Sequence, residues 1–442
     1  MKKNLLLSAV FLVSVSFNSV LMSVVFADSA DCAPCEPICS PCDSACGNKN
    51  IFNNVNFFGK NPKGKIEVYG WMLTGITVNN HGATNEYDST APVNGTHAYG
   101  YNVRPGRLGI TDQSGNSSIL MLEQPSDWKV NQLWVGAKKD LGNKFGWGFR
   151  TDLVYGTDAR YARNWTDSTL DWDWGSGDYF MSFTSLYALL GTKDLNLQVG
   201  KFAGGFAYEG LAAPKEFFYS HADICYGRPF TVQGALLNAN WKKFSFSGGW
   251  TAGVFQSFED PYDDNAFLGK ITYHLTDKID ISYKIFHNDK GGRFDRPFYK
   301  QRDTLQTVIF TYNISPKWFL MLETAMTETA TVPKNAADNT GSAWGFNSHL
   351  IYTINKKWAV GLRGEFHHSR NSFFDMPAVT GGQGGDLYDI TLAAHYKMTK
   401  KVTLRPELRY DSADYGNGYR PFGGNESKKD QVSGGVSFIV MF

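Results

Sequence analysis

After Ala27 the chain lacks any long hydrophobic run, and no apolar stretch approaches the roughly 20 residues that a transmembrane helix needs. The mean hydropathy is −0.31. Net charge is also nearly absent, with 43 Lys and Arg against 42 Asp and Glu, so nothing in the charge balance indicates a nucleic-acid partner. The nine His residues are scattered, and no Ser, His and Asp arrangement is better than chance. We therefore predict no catalytic residues, no cofactor and no second helical membrane span.

The first 27 residues have the features of an export signal. Two lysines near the start are followed by the apolar run LLLSAVFLVSVSFNSVLMSVVFA, with small residues at Val25 and Ala27. This pattern predicts a signal peptide over residues 1–27 that is cleaved after Ala27. An uncleaved N-terminal anchor is the alternative, because the apolar run is long enough to span a bilayer.

Residues 28–65 form a polar segment that holds five of the six cysteines. These are Cys32, Cys35, Cys39, Cys42 and Cys46. Two C-x-x-C pairs resemble metal-site spacing, but no His stands nearby to complete such a site. In an oxidising envelope disulfide bonding is the commoner outcome, so we predict disulfides and no metal. The odd number leaves one thiol for an intermolecular bridge, and the segment is predicted to be a periplasmic head or linker that could bind a periplasmic partner.

From Ile66 onward the chain alternates with a period of two, which is typical of strands with one apolar face. In one run Ile281, Tyr283 and Ile285 share a face. Ser282 and Lys284 share the opposite face. About sixteen such runs can be counted, a number within the range of outer-membrane barrels.

Connections between these runs alternate strictly between short and long. The short ones lie at 141–144, 192–194, 242–243, 276–278, 315–317, 355–357 and 399–401. The long ones lie at 79–126, 158–177, 203–230, 256–265, 288–303, 328–341, 369–385 and 411–430. Outer-membrane barrels have this parity, with their short turns in the periplasm, whereas a soluble sandwich has no reason to maintain it. The predicted fold is all-β: a closed antiparallel transmembrane β-barrel over residues 66–442, surrounded by outer-membrane lipids.

Aromatic residues at the ends of the runs support a membrane location. Trp241, Trp318 and Trp358 stand beside short connections, and Tyr410 lies toward a long one. Trp and Tyr are enriched where a bilayer meets water. The last run ends on Phe442, a terminus common among outer-membrane barrels.

The segment 203–230 is unusual for an external loop because it is rich in apolar, Gly and aromatic residues. Aromatic side chains in so long a loop need a wall to pack against, and the nearest wall is the inside of the barrel. The sequence thus predicts an inward-folded constriction loop. Its acids Glu209, Glu216 and Asp223 are then expected to approach arginines on the inner wall.

Charged residues on the polar face of the strands are candidate pore-lining groups, since charge is tolerated against water and costly against lipid. They are Arg150, Asp152, Lys284, Arg363, Glu365, Arg405, Glu407 and Arg409. Two interpretations remain open. Strand arginines and loop acids could create a transverse field across the pore, or the same groups could solvate the lumen and hold the loop by ion pairs.

Several motifs resemble the OmpL-like beta-barrel porin family of bacterial outer membranes. They are Tyr69, Gly70 and Trp71, VGKF at 199–202, Tyr208 with Glu209, FYS at 218–220, PFT at 229–231 with Gly234, RPELRYD at 405–411, and Phe442. The resemblance covers most of residues 66–442 and implies a channel for passive diffusion of small hydrophilic solutes and ions. A structural barrel that anchors the envelope through the Cys-rich head is the alternative function. A homo-oligomer is left open.

Overall fold

The computed structural model describes residues 66–81, 128–162, 171–173, 179–225, 230–253, 265–293, 296–332, 341–370, 385–415, 420, 422 and 428–442. The signal peptide (1–27) and the Cys-rich head (28–65) lie outside the described residues and stay predictions. Among the described residues, no helix has the length and apolar character needed to cross a membrane.

The described residues form one antiparallel sheet. Its strands are β1 (Glu67–Asn79), β2 (Lys129–Lys139), β3 (Gly146–Gly156), β4 (Asp171–Asp173), β5 (Phe180–Gly191), β6 (Leu195–Ala203), β7 (Thr231–Trp241), β8 (Phe244–Thr251), β9 (Ala266–Thr276), β10 (Ile279–Arg293), β11 (Arg296–Asn313), β12 (Trp318–Val332), β13 (Gly341–Thr353), β14 (Trp358–Arg370), β15 (Gly385–Lys397), β16 (Val402–Tyr415) and β17 (Asp430–Met441).

The sheet closes on itself because β1 pairs with both β2 and β17. Strand β4 has only three residues and pairs with the end of β5. Without it, the 17 described strands leave sixteen in the closed wall. The prediction of an antiparallel barrel of about sixteen strands is confirmed.

Side chains along each strand alternate between the lumen and the outside. On β13, Asn347 and His349 are buried, whereas Phe346 and Leu350 are 42% and 37% exposed. Successive strand residues point to opposite faces of a sheet, so the exposed apolar residues form the outer surface. The predicted period of two therefore distinguishes the lumen face of each strand from its outer face.

The seven connections predicted to be short all lie at the end of the barrel where β1 begins and β17 ends, called here the short-turn end. The prediction of a long loop at 288–303 is wrong. Residues 288–303 continue β10 and β11 as a paired hairpin, with Asn288 opposite Asp303 and Arg293 opposite Arg296. Backbone pairing needs no apolar side chain, so the strands continue past the point where the apolar alternation stops.

The C-terminal residue completes the seam between β17 and β1. The backbone N–H of Phe442 donates to the carbonyl of Gly70 at 3.0 Å. A Cβ at Gly70 would lie 2.2 Å from the Phe442 ring, so only glycine leaves room for this ring. Aromatic pairs reinforce other seams at the short-turn end, including Trp358 with Tyr396, whose ring centroids are 4.4 Å apart. Cross-strand aromatic pairs of this kind stabilise sheets.

Candidate functional site

A segment between β6 and β7 lies inside the barrel. We call residues 204–230 the inner loop; residues 204–225 and 230 are described. It contains two single-turn 3-10 helices, Ala213–Lys215 and Asp223–Cys225. Phe206, Phe218 and Ile224 are almost completely buried. The inner loop packs its aromatic residues against the lumen side of the wall.

Acidic side chains of the wall bind the backbone of the inner loop. Glu407 on β16 accepts hydrogen bonds from the backbone N–H groups of Tyr219, at 2.7 Å, and Ser220, at 3.1 Å. Glu365 on β14 accepts from the backbone N–H of Asp223 at 2.6 Å. Two of the predicted pore-lining acids thus hold loop amides.

Basic side chains of the wall bind loop carbonyls. Arg405 donates to the backbone oxygens of Glu216, at 2.9 Å, and Phe218, at 3.1 Å. Lys284 on β10 donates to the backbone oxygen of Ala207 at 3.1 Å. These contacts depend on the path of the loop backbone and much less on which side chains the loop carries.

Arg363 on β14 joins the loop to a second strand. Its guanidinium lies 3.2 Å from a carboxylate oxygen of Glu209 in the loop and 3.0 Å from one of Asp389 on β15. It also donates to the backbone oxygen of Ser220 at 2.8 Å. A planar guanidinium with five donors suits such a multiple contact. Arg363 is fully buried, so its charge is matched by protein groups and does not face open water.

Arg409 on β16 lies among three carboxylates. One terminal nitrogen is 3.0 Å from Asp223, 2.8 Å from Asp389 and 2.6 Å from Asp411. The other terminal nitrogen donates to the backbone oxygen of His221 at 2.8 Å. The carboxylates come within 4.8 Å of one another, and the guanidinium lies where a cation would otherwise bind. Burial raises the pKa of the Asp223 carboxyl to about 7; Arg409 opposes the rise, and Asp411 and Asp389 add to it.

The other two loop acids have opposite environments. Burial would raise the pKa of Glu209, but Arg363 and the His349 ring, whose Nε2 lies 3.2 Å from a Glu209 oxygen, outweigh it, so the pKa lies below its usual range. Burial and the charge of Glu209 raise the pKa of Glu216 well above its usual value. The Glu216 carboxylate accepts the backbone N–H of Gly210 at 2.8 Å. Glu216 therefore stabilises the loop internally instead of pairing with an arginine of the wall.

Arg150 and Asp152 belong to a different part of the wall, on β3. They form an ion pair with each other. Asp152 also accepts from the Tyr69 hydroxyl at 2.5 Å and from the Trp134 indole at 3.0 Å. The Arg150 side chain is 28% exposed, in contrast to the buried Arg363, Arg405 and Arg409.

The contacts favour the second interpretation of the charged residues, in which they hold the loop. Six of the predicted residues make most of these contacts, and we call them the docking wall: Lys284, Arg363, Glu365, Arg405, Glu407 and Arg409.

Sequence reasoning missed several residues that hold the loop. Gln132 on β2 donates to the backbone oxygen of Leu211 at 2.7 Å. His395 on β15 hydrogen-bonds the backbone oxygen of Phe217 at 2.6 Å, and the two rings stack 4.0 Å apart. Neutral inward-facing residues occur on every strand, so no pattern distinguishes these two. Asp411 could have been found, because it follows Arg409 at a spacing of two on the same face.

A closed sixteen-stranded barrel with an apolar outside, short turns at one end and a loop folded into its lumen defines the class of outer-membrane porins. Residues 65–442 match the family model described as beta-barrel porin-2, OmpL-like. The chain belongs to this porin family, and it is an outer-membrane channel protein. A comparison with curated proteins found no match to the chain.

Solved structures with a similar fold are porins and outer-membrane channels. An anion-selective porin from Comamonas acidovorans is 10% identical with a TM-score of 0.57, covering 86% of this chain and 100% of its own. The channel DcaP of Acinetobacter baumannii is 11% identical with a TM-score of 0.55, at 88% and 100% coverage. OmpT of Vibrio cholerae in a trimer form is 10% identical with a TM-score of 0.54, at 86% and 100% coverage. At these identities the likeness shows the fold.

Proposed function

We propose that the protein is a passive channel for small hydrophilic solutes and ions, and that the inner loop forms its narrowest section. The observation that carries this proposal is the burial of Phe206, Phe218 and Tyr219 inside the barrel. A loop that occupies part of the lumen reduces the cross-section left for water. Family and fold favour a channel over an enzyme.

The docking wall supports a static role for the loop. Its charged groups bind the loop at both amide and carbonyl groups, and partners such as Glu407 and Arg405 lie on the same strand. Many buried charge-assisted hydrogen bonds fix one conformation more strongly than apolar contacts alone. The loop is therefore expected to stay docked during conduction.

Planar bilayers test both parts of the proposal. Purified wild-type protein should give stepwise openings in KCl, and a variant in which residues 206–225 are replaced by a short Gly-Ser linker should give larger steps. A wild-type bilayer without steps would reject the channel. Equal step sizes in both proteins would reject the inner loop as the narrowest section.

We also propose that the barrel assembles with further copies of itself. One similar structure is described as a trimer form of OmpT, and the outer surface of β5–β7 here carries exposed aliphatic residues such as Leu190, Leu195 and Leu237. Mass determination of the detergent-solubilised protein should give a multiple of the chain mass. A single-chain mass under mild detergent would contradict assembly.

A further inference from the structure

The inner face of β6–β8 carries a row of uncharged polar side chains in the half nearer the short-turn end. Asn196, Asn238 and Ser247 stand directly opposite one another on three adjacent strands. Gln198 lies two residues beyond Asn196 on the same face of β6. We call these four residues the amide ladder.

The amide ladder borders the water of the lumen. The residues that alternate with it, Leu197, Leu237 and Phe246, are exposed on the outer surface. Since strand residues alternate between faces, the ladder points inward. All four ladder residues are nevertheless only partly buried, so the inner loop does not cover them as it covers Arg363.

Hydrogen bonds within the ladder orient its amides. The Asn238 amide nitrogen donates to the side-chain oxygens of Asn196, at 3.0 Å, and Gln198, at 3.3 Å. The side-chain oxygen of Asn238 accepts a hydrogen bond from the Ser247 hydroxyl at 2.6 Å. Each amide has two donor hydrogens and an acceptor oxygen with two lone pairs, so bonding capacity remains on the side facing the lumen. For the Gln198 amide nitrogen, the described residues supply no hydrogen-bond partner.

An aromatic side chain lies beside the ladder. Tyr187 on β5 faces the lumen opposite Gly200, two residue pairs from the Leu189–Gln198 pair. A Cβ at Gly200 would come within 2.9 Å of the Tyr187 Cβ, so Tyr187 approaches β6 closely where that strand has no side chain. Tyr187 is partly exposed. Its ring packs edge-to-face with the Phe202 ring, with centroids 6.4 Å apart. A partly exposed phenol on the same inner face as the amides can offer both apolar and hydrogen-bonding contacts.

We propose that the amide ladder with Tyr187 is a binding track for neutral polyhydroxylated solutes of the size of simple sugars. Such solutes have many hydroxyl groups that both donate and accept, together with apolar C–H faces that pack on a ring. Their recognition needs oriented neutral groups and no net charge. The proposal rests on the proposed channel function and specifies a substrate class for it.

Single-channel recording with added sugar tests the track. Glucose or sucrose should reduce the KCl current of the wild type with a saturating concentration dependence. Asn238→Ala removes the central amide and should raise the half-saturating concentration about three- to tenfold, the effect of losing one or two hydrogen bonds. Asn313→Ala is the matched control, because Asn313 is a partly exposed inward-facing Asn on β11 outside the ladder.

Different outcomes separate the two proposals. Absence of KCl steps in the wild type rejects the channel itself and the track with it. A conducting channel whose current falls only in proportion to solution viscosity, equally in the wild type and Asn238→Ala, rejects the track alone. If Asn238→Ala fails to insert, Gln198→Ala and Tyr187→Leu take its place, and an unchanged half-saturating concentration in both would overturn the track.

Discussion

The docking wall and the amide ladder both lie on the inner face of the barrel, but they differ in charge and burial. Arg363 and Arg409 in the docking wall are fully buried and surrounded by carboxylates. Asn238 and Ser247 in the ladder are neutral and partly exposed. A charged residue on the lumen face of a strand can therefore be buried beneath the inner loop, where it does not contact the water of the pore.

The cost of burying a charge explains why the charged residues of the docking wall lie against the inner loop. A buried charge is costly unless a partner offsets the loss of hydration. The inner loop brings backbone groups and the acids Glu209 and Asp223 to the arginines, so the loop and the docking wall neutralise each other. The ladder residues are neutral and only partly buried among the described residues, so they need no such compensation.

The largest expected effect comes from removing a buried charge of the docking wall. Arg363→Ala leaves Glu209 and Asp389 without their shared partner, which should cost about 3–5 kcal/mol. We expect the variant to unfold at a lower Tm, measured by heat-induced unfolding, and to give larger conductance steps in planar bilayers. Lys400→Ala in an exposed short turn is the control. Identical behaviour of the two variants would mean that Arg363 does not hold the loop.

A second prediction compares neighbours on one strand that face opposite sides. Leu237 is 55% exposed on the outer surface, and Asn238 faces the lumen. Leu237→Arg should destabilise the inserted barrel by up to about 2–4 kcal/mol, the cost of an arginine on the lipid face at the bilayer midplane. Asn238→Arg should insert normally and lower cation conductance. Urea unfolding from vesicles measures the difference, and equal stability of the two variants would contradict the assignment of faces.

A third prediction tests the backbone contacts of the docking wall. Glu407→Ala leaves the N–H groups of Tyr219 and Ser220 without an acceptor, at a cost of about 1–3 kcal/mol. Glu407→Gln keeps an acceptor and should cost less. Cys225, only 1% exposed, reports loop opening through its rate of labelling by a charged thiol reagent.

The labelling experiment uses protein in which the five head cysteines are replaced by Ser. Labelling should be slow in this background, faster in Glu407→Gln and fastest in Glu407→Ala. Equal rates in all three proteins would show that Glu407 does not limit opening of the loop. The buried position of Cys225 also means that reagent added to the open channel is expected to block little current while the loop stays docked.

Much of the fold could be predicted because membrane strands leave a simple pattern. Alternation with a period of two identifies the outer surface, as Leu237 and Asn238 illustrate. Aromatic residues such as Phe206 and Phe218 indicated that the loop between β6 and β7 folds inward. The hairpin at 288–303 was missed because backbone pairing there is not accompanied by apolar alternation.

The partners of the charged residues could not be predicted. Arg363 and Glu209 are 154 positions apart in sequence, and their contact depends on the path of the whole loop. Sequence suggested that arginines would face loop acids, yet Arg405 binds the backbone oxygens of Glu216 and Phe218. The residue types show that the buried charges need partners, but only the structure shows which atoms are those partners.

The smallest predicted effect is a dependence of loop docking on pH through Asp223. Its pKa of about 7 in the folded protein lies above the ordinary value of 3.8, so the docked loop holds a proton that the free loop would release. The stabilisation from this proton is complete below the ordinary value and is lost as the pH rises through about 7. The carboxylate then repels Asp389 and Asp411, while Arg409 and Arg363 limit the effect.

Current fluctuations from loop motion should therefore increase between pH 6 and pH 8, by at most about tenfold per pH unit for one proton. Asp223→Asn resembles the protonated form and should reduce this dependence, leaving the part that Glu216 contributes through its own raised pKa. Asp140→Asn, which changes an exposed carboxylate at a short turn, should leave it intact. Glu209 should not contribute, because its lowered pKa keeps it ionised throughout this range. The same pH profile in Asp223→Asn and in the wild type would show that another group controls the docking equilibrium.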